Sequence, residues 1–382
     1  MGVLDRGKKG TGMNRRNMLK GAGGIMIASQ MPAQAATANW DRAKLDQAAK
    51  VMNGWIADGR VQGASILVTQ GERSFARNFG TAAGDDPVFL LASITKPMTA
   101  AAVMVLVDAG QLSLDDRLVK FFPGFTGQGR ETITVRHAIT HSSGLPDMLP
   151  DDEMLRERQT PLSGFRDGAL KAPLKFAPGT SYSYSSMGIL LASDIVQTIS
   201  GTPFPQFLED KIFKPLGMSK TKLGLRGRAK ASTVASQGAP AMTEAGKLSW
   251  RDWNWNSDYW RNLGAPWGGA LGPASDIARF YKEFLTQRGA ILKPATEKLM
   301  ITNQLPAGVR ASGLGFGLVP TVGSPGVGPA TFGHNGSTGT LSWADPDTGT
   351  ICVVLTTLYA DAVRPHPTRL VSDLVAQAVT KA

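Results

Sequence analysis

A chain of 382 residues with 42% apolar and 19% charged residues is long enough for two compact lobes or one large domain, and too apolar to be disordered. Its formal charge is +11, but residues 1–35 hold Arg6, Lys8, Lys9, Arg15, Arg16 and Lys20 against one acid, Asp5, which leaves +6 spread over the rest. So diffuse a charge, with no basic-aromatic motif, argues against nucleic acid as a partner, and a single cysteine, Cys352, excludes intrachain disulfides and a thiolate zinc site.

The first pattern is a leader. Asn14-Arg15-Arg16-Asn17-Met18-Leu19-Lys20 precedes a short apolar stretch, Ala22 to Ala28, and then Ala33-Gln34-Ala35. Paired arginines, a brief apolar run and a small-x-small site predict a twin-arginine signal peptide over residues 1–35, cleaved after about Ala35. Residues 1–12 carry no pattern, which leaves Met1 and Met13 both open as the start. The apolar stretch is too short to cross a bilayer, and nothing later is long and apolar enough. The expectation is an exported protein, periplasmic or secreted, with no stable membrane span.

Leu45, Ala48, Ala49, Met52, Trp55 and Ile56 have helical spacing between Trp40 and Gly59. A hairpin follows, with Gly63 to Thr69 and Ser74 to Phe79 joined at Gln70-Gly71-Glu72. The apolar run Val88 to Ala92 then leads into a long apolar helical pattern from Met98 to Ala109, and Ser93-Ile94-Thr95-Lys96 stands at the junction. Serine three residues before lysine at a helix start puts both side chains on one face, and Pro97 fits a first turn. A serine hydroxyl is a poor nucleophile until something takes its proton, which a partly desolvated lysine one turn away can do. The competing reading is an N-cap serine followed by an exposed lysine. A second copy, Ser219-Lys220-Thr221-Lys222, follows Pro215-Leu216-Gly217-Met218 in a basic stretch with no apolar helix behind it, and reads as a solvated loop.

The stretch Thr132 to Pro146 reads as a short helix stopped by Gly144 and Pro146, with Ser142 and Ser143 as helix-end and loop residues. His137 and His141 share a helix face but have no acidic ligand nearby, so a metal centre is not expected, nor is any cofactor. Thr180 to Ser186 packs tyrosine and serine against the start of an apolar helix, Met187 to Ile199. Tyr184 there is either a base, if its pKa is lowered, or a structural tyrosine that satisfies a loop. Trp250, Trp253, Trp255, Trp260 and Trp267 fall in a segment rich in asparagine and glycine, which either lines an apolar pocket or packs on itself as a lid. A helix from Ala274 to Leu285 carries Asp276 near its start. The last part is β-rich: Gly333-His334-Asn335-Gly336-Ser337 precedes strands at Gly339 to Ala344 and Thr350 to Leu358, and a helix from Thr368 to Val379 closes the chain. Gly333, Gly336 and Gly339 suggest a close approach to the backbone. The chain has no Gly-x-Ser-x-Gly, which argues against an α/β-hydrolase nucleophile elbow.

The order of these parts resembles the serine hydrolases related to class C β-lactamases, D-Ala-D-Ala carboxypeptidases and family VIII esterases. The resemblance runs from about Trp40 to the C-terminus, through Ser93-x-x-Lys96, His141 to Pro146, Pro178-Gly179 before Tyr184-Ser185-Ser186, Pro215 to Met218, Gly268-Gly269 before Asp276, and Gly333-His334-Asn335-Gly336. It implies an α+β fold: an antiparallel β-sheet flanked by helices, with an inserted mostly helical lobe. The sheet lobe would take residues about 40–92 and 305–382 of the domain 36–382, and the helical lobe about 93–304. Carried over by position, Ser93 is the nucleophile, Lys96 and Tyr184 form the proton-transfer pair, and the backbone amides of Ser93 and Ser337 form the oxyanion hole. Ser186, His334, Asn335, Gly336 and Trp267 would meet the substrate. Two positions depart from the usual pattern: Ser186 stands where asparagine is common, and His334 where many β-lactamases have lysine. Both weaken recognition of a β-lactam carboxylate and leave the nucleophile and base in place.

The expected activity is acyl transfer through Ser93 on a small-molecule or peptide ester or amide, as an esterase or a D-amino-acid peptidase-like enzyme. The alternatives are a true β-lactamase and a cell-envelope penicillin-binding protein without turnover. The substrate and the oligomeric state are left open.

Overall fold

The computed structural model describes residues 39–237 and 253–380; the leader pattern and Trp250 lie outside them. Leu45, Ala48 and Met52 recur every three or four positions and are the buried face of helix α1, Arg42–Ala57. Asp41 caps it, accepting from the Lys44 amide at 3.1 Å. The hairpin forms as β1, Gly63–Gln70, and β2, Arg73–Gly80, with Gly71 left-handed in the turn at φ 57°. Next come β3, Phe89–Leu90, a 3₁₀ turn over Ala92–Ile94, and α2, Thr95–Asp108. Helix α2 is apolar almost all round, and 11 of its residues, Lys96 among them, are buried.

Helices α3, Val135–Ile139, α4, Asp152–Glu157, α5, Leu162–Ala169, α6, Ser186–Ser200, and α7, Phe204–Leu208, follow. Then come β4, Lys222–Leu223, α8, Asp258–Leu263, β5, Ala270–Gly272, α9, Ala274–Thr286, and α10, Pro294–Met300. The chain ends with β6, Gly317–Leu318, β7, Phe332–Gly336, β8, Thr340–Asp345, β9, Thr350–Thr356, and α11, Pro367–Ala378.

The main sheet has six strands in the order β2-β1-β9-β8-β7-β6, and every pairing is antiparallel. Strands from the two ends of the sequence therefore meet at β1 and β9, where Ile66 faces Val354. Strand β9 is buried along its whole length because both sheet faces are covered. Cys352 and Val354 point to the side of α1 and α11, and Ile351, Val353 and Leu355 join the helical core on the other. Burial pushes the Cys352 thiol up, so it is an inert core residue. Helix α9 packs against β1, β8 and β9, so a segment that sequence order puts in the helical lobe belongs physically to the sheet. A small second sheet, β3-β5-β4, ties the strand before Ser93 to the stretch after Trp267.

The repeated Ser-x-x-Lys at Ser219 is an exposed turn leading into β4, where Lys222 Nζ donates to the Arg226 carbonyl. Asp276 is buried; it accepts from the Thr221 hydroxyl and the Lys220 amide, so it anchors this loop to α9.

Candidate active site

Ser93 lies in the 3₁₀ turn that feeds α2, and this turn is clamped from three sides. Thr95 Oγ1 donates to the Ala92 carbonyl at 2.7 Å and accepts from the Ala270 amide at 3.1 Å. Thr338 and Thr340 donate to the carbonyls of Leu90 and Leu91, at 2.8 and 2.9 Å. Ala92 is held left-handed, φ 47°, a conformation costly for a residue with a Cβ, and it directly precedes the serine. The close approach suggested by the third-motif glycines is this one. A Cβ on Gly336 would stand 2.5 Å from the Leu91 carbonyl oxygen and 3.0 Å from Ala92 Cβ, so only glycine lets β7 press against the turn.

Ser93 does not cap the helix with its side chain, and Lys96 is not exposed. The lysine is 1% accessible, and its Nζ donates to Ser93 Oγ at 3.0 Å and to the Trp267 carbonyl at 2.8 Å. Burial lowers its pKa to about 7, with the Asp147 carboxylate working in the opposite sense. An amine that is half neutral near pH 7 and bonded to a hydroxyl can accept the hydroxyl proton.

The Tyr184 side chain lies within interaction range of the Ser93 hydroxyl, and its ring lies 4.6 Å from Lys96 Nζ. Its burial raises the phenol well above the ordinary range instead of lowering it. The low dielectric around the ring penalises the anion, so burial does not favour the lowered pKa that a resting tyrosinate base would need.

Two stretches fasten Tyr184. The Ser183 amide donates to the His141 carbonyl at 2.9 Å, the Ser185 amide to His141 Nδ1 at 3.1 Å, and the Ser185 hydroxyl to the Pro146 carbonyl at 2.9 Å. His141 adopts φ 62° and tilts its ring over Tyr184 at a centroid distance of 4.6 Å. Ser142 and Ser143 are buried in this turn; Ser142 Oγ lies 2.9 Å from Thr140 Oγ1, and Ser143 Oγ accepts from the Leu145 amide.

Across the site His334, on β7, lies 6.0 Å from Tyr184 between ring centroids. Burial lowers its pKa to about 3, and that of His141 well below the ordinary range. Both are therefore neutral, in opposite tautomers. His334 Nδ1 faces the Asn335 carbonyl at 2.8 Å and must donate, which frees Nε2 as an acceptor; His141 Nδ1 accepts, so its Nε2 carries the proton.

A cavity of about 350 Å³ joins Ser93, Tyr184, His334, Asn335, Gly336 and Ser337. Ser186 and Trp267 do not line it. The Ser186 hydroxyl turns to Asp147 at 2.6 Å, and the Trp267 indole packs on Phe165 at 5.8 Å, so what Trp267 offers the site is its carbonyl. Elsewhere in that segment Trp253 and Trp260 lie 5.7 Å apart between ring centroids, with the Arg156 guanidinium 4.5 and 4.6 Å from the two rings. His141, Tyr182 and Arg310 also line the cavity and were not among the site residues expected from the sequence. Tyr182 was in principle detectable two residues from Tyr184 on an extended segment, whereas Arg310 sits in a loop with no pattern around it. The Arg310 guanidinium lies 4.5 Å from the Tyr182 ring, and no carboxylate among the described residues lines the cavity.

Residues 39–376 match the protein family described as Beta-lactamase. Penicillin-binding protein 4 of Amycolatopsis lactamdurans is 29% identical over 306 residues, covering 73% of this chain and 74% of that protein. The chain spans between 30% and 74% of the length of the curated relatives it matches, in most cases less than two thirds. Among solved structures, EstCE1, described as a hydrolase with promiscuous acyltransferase activity, superposes with a TM-score of 0.72 at 20% identity, covering 87% of this chain and 99% of that one. The D-amino acid amidase of Ochrobactrum anthropi SV3 gives 0.69 at 22% identity, covering 87% and 97%.

Proposed function

Because this chain belongs to the Beta-lactamase family, we propose that it is a serine hydrolase that cleaves an ester or amide through an acyl-enzyme on Ser93. One observation carries the reading: a buried lysine with a pKa of about 7 donates a 3.0 Å hydrogen bond to Ser93 Oγ at the wall of a cavity. Neutral Lys96 takes the Ser93 proton as Oγ attacks the carbonyl carbon. The amides of Ser93 and Ser337 hold the oxygen that becomes negative, a contribution worth about 10²–10³ in rate for one donor. The proton passes from Lys96 through the Tyr184 hydroxyl to the departing oxygen or nitrogen, and the carbonyl re-forms with the acyl group on Ser93. Water then adds to the ester, giving its proton back along the same path, and the acid leaves.

An esterase or a D-amino-acid amidase ranks above a β-lactamase, because the third motif offers neutral His334 where a lysine would supply a fixed charge. The twin-arginine pattern at Arg15-Arg16 and the small-x-small site at Ala33-Gln34-Ala35 support export, with the mature enzyme working outside the cytoplasm.

The test is intact mass after brief exposure to an activated short-chain ester, with peptide mapping. An adduct on Ser93 that decays with time is expected, and Ser93→Ala protein should remain folded and form none. A persistent adduct would point to a penicillin-binding receptor instead, and no adduct on Ser93 would overturn the assignment.

A further inference from the structure

The positive charge beyond residue 35 has one source. Residues 211–230 hold seven lysines and arginines and no acid, so of the +6 outside the leader the remaining residues carry 6 − 7 = −1. The fold gathers these cations on one face. Arg226 Nη2 donates to Gln206 Oε1 at 2.7 Å, Gln206 Nε2 to Asp210 Oδ2 at 2.9 Å, and Lys214 Nζ to Asp210 Oδ1 at 2.7 Å, which joins the turn after β4 to the end of α7. Lys222 Nζ donates to the Arg226 carbonyl at 3.2 Å, and Arg228 donates to the Lys220 carbonyl. Carboxylates within ion-pair distance meet Lys214 (Glu209 and Asp210), Lys220 (Asp86) and Lys230 (Asp258). Lys211, Lys222, Arg226 and Arg228 have none among the described residues. Seven cations against these four acids leave a local charge of +3.

The face is held in shape. Buried Asp276 accepts from the Lys220 amide at 3.0 Å and from the Thr221 hydroxyl at 2.9 Å. Arg226 is left-handed at φ 46°, near Gly224 at 77° and Gly227 at 79°. Glycine would adopt that conformation freely, so the turn keeps a guanidinium where the backbone favours no side chain.

We propose that this face is a docking surface for an anionic phospholipid bilayer. None of its cations lines the Ser93 cavity, so it is not a substrate pocket, and the inference stands apart from the acyl-transfer reading. Phe213 is the single aromatic residue of the segment and is buried, which leaves no platform on which bases could stack. Ile212, Leu216, Met218, Leu223 and Leu225 are buried too, so no large apolar side chain is offered for insertion, and attachment is electrostatic. The choice of a bilayer among polyanions rests on the export reading, which brings the chain to a membrane face.

The experiment is co-sedimentation of the full chain with vesicles of equal parts phosphatidylglycerol and phosphatidylcholine, and with phosphatidylcholine alone. It is run at about 0.1 M and about 1 M salt, where the screening length is about 10 and about 3 Å. Wild type should bind the anionic vesicles at low salt and leave them at high salt. Lys222→Gln/Arg226→Gln should bind about five- to thirtyfold more weakly, the worth of two surface cations. Residues 1–35 are the same in both chains, so the difference belongs to the patch. Arg226→Gly relieves the left-handed strain; it should melt no lower than wild type and still bind about two- to fivefold more weakly, which separates docking from folding. Equal binding to neutral vesicles, or a double variant that binds as well as wild type, would overturn the inference. Tighter binding to linear polyphosphate than to the vesicles would make a soluble polymer the partner and overturn it as well. Purified protein meets the vesicles without export, so each of these results leaves the export and acyl-transfer readings standing.

Discussion

Replacing Lys96 by methionine should abolish the chemistry and stabilise the fold. In the folded chain burial takes the amine from its ordinary 10.5 to about 7. Each tenfold in proton affinity is worth about 1.4 kcal/mol, so holding the cation inside costs about 4 kcal/mol at pH 7 and about 5 kcal/mol below pH 6. The folded pKa is depressed, so between about 7 and 10.5 the unfolded chain binds the extra proton, and wild-type stability rises with pH across that window. Methionine removes this cost. It also leaves the Trp267 carbonyl, now bonded at 2.8 Å, without its donor, a loss of about 1–3 kcal/mol. The balance at pH 6 favours the variant by about 2–4 kcal/mol, and at pH 10, where little cost remains, it favours wild type. Thermal unfolding at pH 6, 8 and 10 should therefore show the curves crossing, with the variant several degrees higher at pH 6. Ester hydrolysis should fall by about 10²–10⁴, the usual worth of a general base. A variant less stable than wild type at pH 6 would refute the reasoning, because it would mean that the lysine is not confined as a reluctant cation.

Arg310→Ala should raise KM about two- to fivefold for esters that carry a carboxylate beyond the scissile group and leave neutral analogues unchanged, because Arg310 is the permanent charge on a cavity wall that holds no acid among the described residues; steady-state kinetics at low and high salt would check this, and the difference should shrink with salt. Glu297→Gln should flatten the alkaline loss of stability. Glu283 and Glu297 are both buried, Glu283 is paired with Arg288 at 3.0 Å, and burial together with Glu283 pushes the Glu297 carboxyl up to about 8. A raised folded pKa gives stability that is complete below about 4.5 and lost as pH rises through 8, so the Tm of the variant relative to wild type should climb between pH 5 and pH 9; a flat or falling difference would refute the coupling.

The helices and strands with a clear period were legible in the sequence, within a few residues at each end: α1, the β1–β2 hairpin, α6, α9 and α11 each carry a repeating apolar face. Strands β3 to β6 were not, because two or three residues have no period and are set by what they pair with. The candidate site divides the same way. Ser93, Lys96 and Tyr184 stand at the ends of regular elements and His334 in a short glycine-flanked strand, where local pattern marks a place. Asp147 and Arg310 stand in loops, and only the folded chain brings Asp147 to the α6 entry. The tryptophan-rich segment shows the limit of composition: its aromatic content fits a pocket wall or a packed lid equally well, and among the described residues Trp253 and Trp260 pack on each other and against the Arg156 guanidinium, a contact with no local signal.

The resting charges of the site fit the proposed route. Burial keeps Tyr184 protonated and His141 and His334 neutral, and it brings Lys96 close to half-neutral. Attack by Ser93 then creates charge where little stood before: a cation on Lys96 and an anion on the carbonyl oxygen. Opposite unit charges about 4 Å apart attract by about 4 kcal/mol at an effective dielectric of about 20. None of that attraction is diverted by a carboxylate in the cavity wall of the described residues. A base is most effective when its pKa lies near the working pH. Lys96, brought to about 7 chiefly by burial, stands near that point.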